Sequence, residues 1–85
     1  MNSKLEIFKK KLIYRAGYRG TKEMDILLSS FVNKYINTLD ESHLQELDKF
    51  LNFEDEIIKN FYHNNIEERN IEKNKISAIF KEFKL

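Results

Sequence analysis

Residues 24–39, MDILLSSFVNKYINTL, carry the clearest structural pattern in the chain. Apolar side chains recur there every three or four positions, which is the spacing that lines one face of an α-helix. They are Met24, Leu27, Leu28, Phe31, Tyr35 and Leu39, and Val32 and Ile36 widen the face. Asp40 follows at once, and aspartate is typical of a helix N-cap. The pattern predicts a buried helix over this segment and a further helix that begins at Asp40.

The flanking segments predict helices of the same kind. Upstream, Ser3 and Glu6 have the spacing of a capping box. Gly17 and Gly20 bracket the predicted end of that first helix, where a left-handed glycine is common. The later apolar stripes are Leu44, Leu47, Phe50 and Leu51 in a third helix, Ile57, Ile58, Phe61 and Tyr62 in a fourth that starts at Asn52 or Asp55, and Ile76, Ile79, Phe80 and Phe83 in a fifth. We therefore predict an all-α fold, a small antiparallel bundle of four to five helices.

The composition limits the class of protein. The chain has 85 residues, no cysteine, no proline and two glycines, so we expect one domain without disulfides or a thiolate metal site. His43 and His63 have no companion ligands nearby, and no metal site is predicted. We divide the chain into residues 1–64, the helical bundle, and residues 65–85, a polar connection and a C-terminal amphipathic helix. That last helix packs back on the bundle or contacts a membrane or a partner.

Charge is unevenly distributed along the chain. Residues 1–22 contain seven Lys or Arg and one acidic residue, whereas residues 23–68 contain three basic and eleven acidic residues. This asymmetry indicates a basic docking face beside an acidic body, and it argues against nucleic-acid binding.

The chain lacks the run of about 20 apolar residues that membrane insertion needs, and its charged N-terminus lacks the apolar run of a secretion signal. We expect a protein of the bacterial cytoplasm, or of the mitochondrial matrix in a eukaryote.

Residues 14–28, YRAGYRGTKEMDILL, are the most unusual stretch. Two arginines, both glycines and two carboxylates fall at the junction of the first two helices. With Gly20 as the N-cap of the second helix, Glu23 lies at the third helical position and faces the free amides there. Arg15 and Arg19 lie near the C-terminus of the first helix, where cations are favoured. The charges thus have a structural interpretation as well as one in partner binding.

The run RGTKEMDILL at residues 19–28, with Tyr-Arg upstream, resembles the signature of the succinate dehydrogenase flavinylation factors, the SdhE-type FAD assembly factors. The resemblance covers about residues 5–63 and assigns no role to residues 64–85. It implies a small helical bundle that promotes covalent attachment of FAD to a histidine of the flavoprotein subunit of succinate dehydrogenase, or of the related fumarate reductase. It also implies that partner binding rests on Arg19, Gly20, Glu23, Asp25, Arg15 and Tyr18.

Each motif residue has an expected role within that resemblance. Gly20 leaves a flat place for a partner backbone, where a side chain would be a wedge and would strain the φ angle. Arg19 pairs with a carboxylate or carbonyl across the interface. Glu23 accepts from a partner or caps its own helix, and Asp25 supports the helix start. Tyr18, like Tyr14 one turn earlier, either anchors the interface or packs half-buried in the core.

The predicted role is that of a helper and not of an enzyme. The sequence has no GxGxxG run after a strand to cradle a pyrophosphate, and neither histidine is expected near the motif. We predict no catalytic residues. We also predict no stably bound cofactor, since FAD is carried by the partner subunit. The protein is expected to bind that subunit as a monomer. The alternative is a small helical adaptor or antitoxin-like regulator of another protein or of nucleic acid. Nucleic-acid binding would depend on the lysines at residues 9–11.

Overall fold

The computed structural model describes residues 3–63 and 71–85, which form five α-helices. The helices are α1 (Ser3–Ala16), α2 (Lys22–Tyr35), α3 (Glu41–Leu51), α4 (Asp55–His63) and α5 (Lys75–Glu82). No strand occurs in the described part of the chain, and the predicted all-α fold is confirmed. None of the described helices is long and apolar enough to cross a membrane. The capping interaction predicted for Ser3 involves a side chain outside the described residues.

Helix α2 forms the centre of the hydrophobic core, as its sequence pattern predicts. Leu28 and Val32 are completely buried, and Leu27 and Phe31 are nearly so. Helix α1 packs against α2 and α3, and both α3 and α4 pack against α5. Buried side chains of all five helices join one core cluster. Each large aliphatic side chain that is buried contributes about 1.5–3 kcal/mol to folding, so this shared core fixes how the helix ends meet.

Helix α5 closes the bundle through aromatic contacts. The Phe80 ring centroid lies 5.0 Å from those of Phe31 and Phe50, and both pairs meet edge to face. The Tyr62 hydroxyl donates to the Phe83 carbonyl oxygen at 2.6 Å. The C-terminal helix therefore packs back on the bundle, which is one of the two predicted possibilities. The predicted boundary between the two parts of the chain lies outside the described residues.

Asp40 is the N-cap of α3, as predicted. Its side chain accepts hydrogen bonds from the His43 amide and from the Ser42 hydroxyl, each at 2.9 Å. These two hydrogen bonds lower the pKa of Asp40 below its ordinary value, because both stabilise the ionised carboxylate. The hydrogen bond from the His43 amide has the larger effect and the one from the Ser42 hydroxyl the smaller. The cap fixes where α3 begins and therefore how many residues separate it from α2.

Helix α2 begins one residue later than predicted, because Thr21 and not Gly20 is its N-cap. Thr21 Oγ1 accepts from the Met24 amide at 3.2 Å, a bond for which glycine has no side chain. Glu23 consequently lies at the second helical position instead of the third. Neither Gly17 nor Gly20 has a left-handed backbone, so the predicted φ requirement at the end of the first helix is wrong for both.

Candidate functional site

Arg19 lies in the loop between α1 and α2, and its side chain extends onto the ends of α3 and α4. Its Nε donates to Asp55 Oδ1 at 2.7 Å, and its terminal nitrogens donate to the carbonyl oxygens of Leu51 at 2.8 Å and Phe53 at 2.7 Å. The side chain is 10% exposed. The last carbonyls of a helix have no partners within that helix, and a cation beside them is favoured. Arg19 therefore satisfies the end of α3 and ties it to the first turn of α4.

Asp55 binds the loop through both of its carboxylate oxygens. While Oδ1 faces the Arg19 guanidinium, Oδ2 accepts from the Gly20 amide at 2.7 Å. The amide of Arg19 donates in turn to Asp25 Oδ1. Two carboxylates, one from α2 and one from α4, thus hold two successive residues of the loop. We call Arg19, Gly20, Asp25 and Asp55 the RG clasp.

Gly20 has a steric reason to be glycine. A Cβ atom built on Gly20 lies 3.0 Å from Asp55 Oδ2, closer than such atoms usually approach. That oxygen is the one that accepts from the Gly20 amide, so any side chain here pushes against the clasp. Gly17 has no comparable constraint, because its Cβ would meet no heavy atom nearer than 3.8 Å. Gly20 is also exposed, which its predicted contact role requires.

Arg15, in the last turn of α1, makes a second contact with the end of α3. One of its terminal nitrogens pairs with Asp48 Oδ1. The other donates to the Asp48 carbonyl oxygen at 3.2 Å and to Asn52 Oδ1 at 2.6 Å. Arg15 and Arg19 were both expected at the C-terminus of the first helix, but Arg19 lies beyond it. Both arginines bind near the end of α3, and a partner that pairs with either must compete with these internal bonds.

Glu23 is exposed beside the loop and points at a histidine. Its Oε1 lies 3.2 Å from Nε2 of His63, the last residue of α4. The two side chains are 56% and 44% exposed, respectively. The prediction that neither histidine lies near the motif is wrong for His63, because the fold returns the end of α4 to the start of α2. A pair this exposed contributes only about 0–1 kcal/mol, but it constrains the direction of the Glu23 carboxylate.

Tyr14 and Tyr18 stack on each other at the protein surface. Their ring centroids are 4.4 Å apart with an interplanar angle of 23°. The residues are 59% and 73% exposed, so half-buried core packing, one of the two predicted possibilities, is wrong for both. Tyr18 immediately precedes Arg19 in the chain. An exposed aromatic pair therefore adjoins the RG clasp.

The six predicted site residues fall into two groups in the structure. Arg19, Arg15 and Asp25 are partly buried, and their side chains bind other residues of the same chain. Gly20, Glu23 and Tyr18 are exposed, although Glu23 also contacts His63. Sequence reasoning missed Asp55 and Asp48, the carboxylates that hold the two arginines. The available signal was the group of five acidic residues within residues 46–56, around the end of the third helix and the start of the fourth, whose charges complement two arginines four residues apart.

The fold and the site together define a small helical protein in which an arginine–carboxylate clasp holds an exposed loop in one shape. The model of the Sdh5 family, described as flavinator of succinate dehydrogenase, matches residues 10–84. This match covers most of the chain, and the protein belongs to that family. The match includes α5 and so extends past the segment, residues 5–63, over which the resemblance was expected.

Curated relatives match a shorter segment of the chain. The protein named succinate dehydrogenase assembly factor 2, mitochondrial, from Danio rerio is 44% identical over 48 residues, which are 56% of this chain and 30% of the relative. The protein of the same name from Scheffersomyces stipitis is 45% identical over 47 residues, 55% of this chain and 32% of the relative. The protein from Saccharomyces cerevisiae strain YJM789 is 41% identical over 51 residues, 60% and 32% of the two chains. The match spans about a third of the length of these relatives.

Proposed function

We propose that this protein promotes covalent attachment of FAD to the flavoprotein subunit of succinate dehydrogenase by docking on that subunit. Its family is described as flavinator of succinate dehydrogenase, and the relatives are named as assembly factors of that enzyme. The observation that carries the proposal is the RG clasp, because it holds the motif in one exposed shape before any partner binds. A surface that is ordered in advance loses less entropy when it docks.

The motif residues have different roles in this proposal. Arg19 is a positioning residue, because its donors are directed at Asp55 and at backbone carbonyls of its own chain. Gly20, Glu23 and Tyr18 are contact residues, because they are exposed beside it. A helper shifts its client toward one conformation only as far as it binds that conformation more tightly than others. We infer that these contacts favour the client conformation in which FAD and the acceptor histidine are close.

The proposed role is non-catalytic. The new covalent bond joins FAD to a histidine of the client, and this protein contributes no atom to it. The flavoprotein subunit of fumarate reductase is a second client to which the proposal extends. We propose that one molecule of this protein docks on one flavoprotein subunit. Docking takes place where that subunit receives its flavin, in the bacterial cytoplasm or in the mitochondrial matrix.

Covalent flavin on the flavoprotein subunit tests this proposal, read as in-gel flavin fluorescence in cells that lack the protein. Wild type restores the signal. Gly20→Arg does not, because its side chain displaces Asp55 and projects from the exposed loop. Gly20→Ala gives an intermediate signal, because a single Cβ meets the Asp55 carboxylate at 3.0 Å. Gly17→Ala is the matched control and restores the signal fully, since its Cβ has no contact nearer than 3.8 Å.

Immunoblots of each variant separate loss of docking from loss of the folded protein. If flavin attachment is unchanged in cells that lack the protein, the proposed function is wrong. If Gly20→Arg restores the signal as well as Gly17→Ala does, at equal protein levels, docking does not involve the RG clasp and the contact assignment is wrong.

A further inference from the structure

One face of α1 and the loop that follows it expose apolar side chains that the core does not use. Ile7 is 54% exposed, and the stacked rings of Tyr14 and Tyr18 lie seven and eleven residues farther along the chain. Seven residues are close to two helical turns, so Ile7 and Tyr14 lie on the same side of the helix. Single exposed apolar residues are normal on protein surfaces. A contiguous group instead marks an interaction site.

Two lysines flank these apolar side chains. A shallow surface groove is lined by Ile7, Lys10, Lys11, Tyr14 and Arg15. Within the described residues, Lys10 and Lys11 form no ion pair, whereas Arg15 is neutralised by Asp48. We call Ile7, Lys10, Lys11, Tyr14 and Tyr18 the α1 strip. Its charge is positive and its exposed centre is apolar.

The charge of the α1 strip specifies the chemistry of what binds there. Residues 1–22 carry seven basic residues and one acidic residue, whereas residues 23–68 of the sequence carry three basic and eleven acidic residues. A complementary surface has carboxylates placed to meet Lys10 and Lys11, and aliphatic or aromatic side chains placed against the tyrosine stack. Tyrosine is a residue type that often dominates binding energy at such contacts. The strip adjoins the RG clasp through Tyr18, so one partner can cover both.

We propose that the α1 strip is a second docking surface for the client, and that it binds a folded patch with an apolar centre and carboxylates at its edge. This inference rests on the proposed function, since it takes the flavoprotein subunit of succinate dehydrogenase as the client. The clasp then positions the motif, while the strip supplies affinity and, through its lysines, faster association at low ionic strength.

Binding of the purified flavoprotein subunit to the full chain tests the strip, by titration calorimetry at several salt concentrations. The double variant Ile7→Ala/Tyr14→Ala removes apolar contact area without touching the motif contacts, and we expect binding at least about tenfold weaker with an unchanged salt dependence. Lys10→Gln/Lys11→Gln removes charge, and we expect binding about two- to fivefold weaker at low salt with a flatter salt dependence. All four positions are on the surface, and circular dichroism checks that each variant folds.

The control variants remove the same kinds of side chain, apolar or lysine, at other places on the surface. Leu85→Ala removes an exposed apolar side chain, 74% exposed, far along the chain from the strip. Lys59→Gln/Lys84→Gln neutralises two exposed lysines on α4 and after α5. Both controls should bind the flavoprotein subunit within about twofold of wild type, because rim or remote charges contribute little.

The possible outcomes separate the strip from the proposed function. If strip variants bind within twofold of wild type while Gly20→Arg binds poorly, the strip is not a docking surface although the proposed function stands. If wild type itself does not bind the subunit, and cells without the protein attach flavin normally, both proposals are overturned. If Lys10→Gln/Lys11→Gln loses binding to duplex DNA but not to the subunit, the lysines belong to a nucleic-acid site and the inference is overturned.

Discussion

Asp55→Ala removes the carboxylate that accepts from both the Arg19 guanidinium and the Gly20 amide. A hydrogen bond to a charged group contributes about 1.5–3 kcal/mol. The Arg19 side chain is 10% exposed, so water cannot easily take the place of the Asp55 carboxylate beside it. We therefore expect the hydrogen bond between Arg19 and Asp55 to contribute an energy in this range. Gly20 is exposed, so water replaces Asp55 at its amide and this loss adds little. We expect a free energy of unfolding about 2–3 kcal/mol lower, which in a domain of this size lowers Tm by about 8–24 °C.

Two further variants test the origin of that loss. Glu56→Ala removes an exposed carboxylate from the same first turn of α4. It gives up only the interaction with the helix dipole, about 0.3–1 kcal/mol. Asp55→Asn keeps one acceptor oxygen but not the charge, and we expect an intermediate loss. The assay is urea unfolding followed by far-UV circular dichroism, with the slope of the transition compared between variants.

The clasp interpretation has a clear refutation. If Asp55→Ala unfolds within about 0.5 kcal/mol of Glu56→Ala, the bonds to Arg19 and Gly20 contribute no more than an ordinary surface charge does. If Asp55→Asn is as stable as wild type, the charge of the carboxylate is irrelevant and only an acceptor atom is needed. The first result would make the RG loop a connection whose shape depends on the core alone, and the second would make the clasp a neutral hydrogen bond instead of an ion pair.

Three other predictions concern the helix ends. Thr21→Ala should lower the free energy of unfolding by about 1 kcal/mol and Thr21→Ser by much less, measured by urea unfolding, because serine still caps α2. The pKa of Asp40 lies below its ordinary value of 3.8, so its contribution to stability is complete above that pH and is lost as the pH falls through the folded pKa. Wild type should therefore lose stability in acid relative to Asp40→Asn, and identical pH profiles would contradict this. A double-mutant cycle with Glu23→Ala and His63→Ala should give a coupling energy below about 1 kcal/mol, because both side chains are exposed. A larger coupling would mean that the pair is shielded from water.

The elements that sequence analysis predicts well are those fixed by neighbouring residues. The face of α2 from Met24 to Phe31 is buried as its spacing requires, because every residue on one side of a helix faces the same core. Asp40 caps α3 because its side chain needs only the amide three residues ahead. In both cases the partner atoms lie within one or two turns. Periodicity and residue type therefore suffice to find them.

The site depends on contacts between residues far apart in the chain, which spacing does not encode. Asp55 is 36 residues after Arg19, and His63 is 40 residues after Glu23. Both pairs exist because α4 packs so that its first turn meets the α1–α2 loop and its end meets the start of α2.

The wrong prediction of the N-cap of α2 has a different origin. Gly20 and Thr21 are both acceptable caps by residue type, and Thr21 caps the helix because its hydroxyl accepts from the Met24 amide, which glycine cannot do.

The clasp also determines how substitutions in the motif must be interpreted. One carboxylate takes the side chain of Arg19 through Oδ1 and the amide of the next residue through Oδ2, and that same Oδ2 excludes a Cβ at position 20. The adjacent arginine and glycine therefore act as one structural unit.

A larger residue at Gly20 displaces Asp55 and then Arg19. Through Arg19 it also disturbs the end of α3 and the start of α4. Loss of function in a Gly20 variant alone thus does not distinguish a lost contact with the client from a displaced loop. Tyr18 makes that distinction, because its ring is 73% exposed and, among the described residues, stacks on the exposed ring of Tyr14. Its removal changes the proposed docking surface while the clasp stays intact.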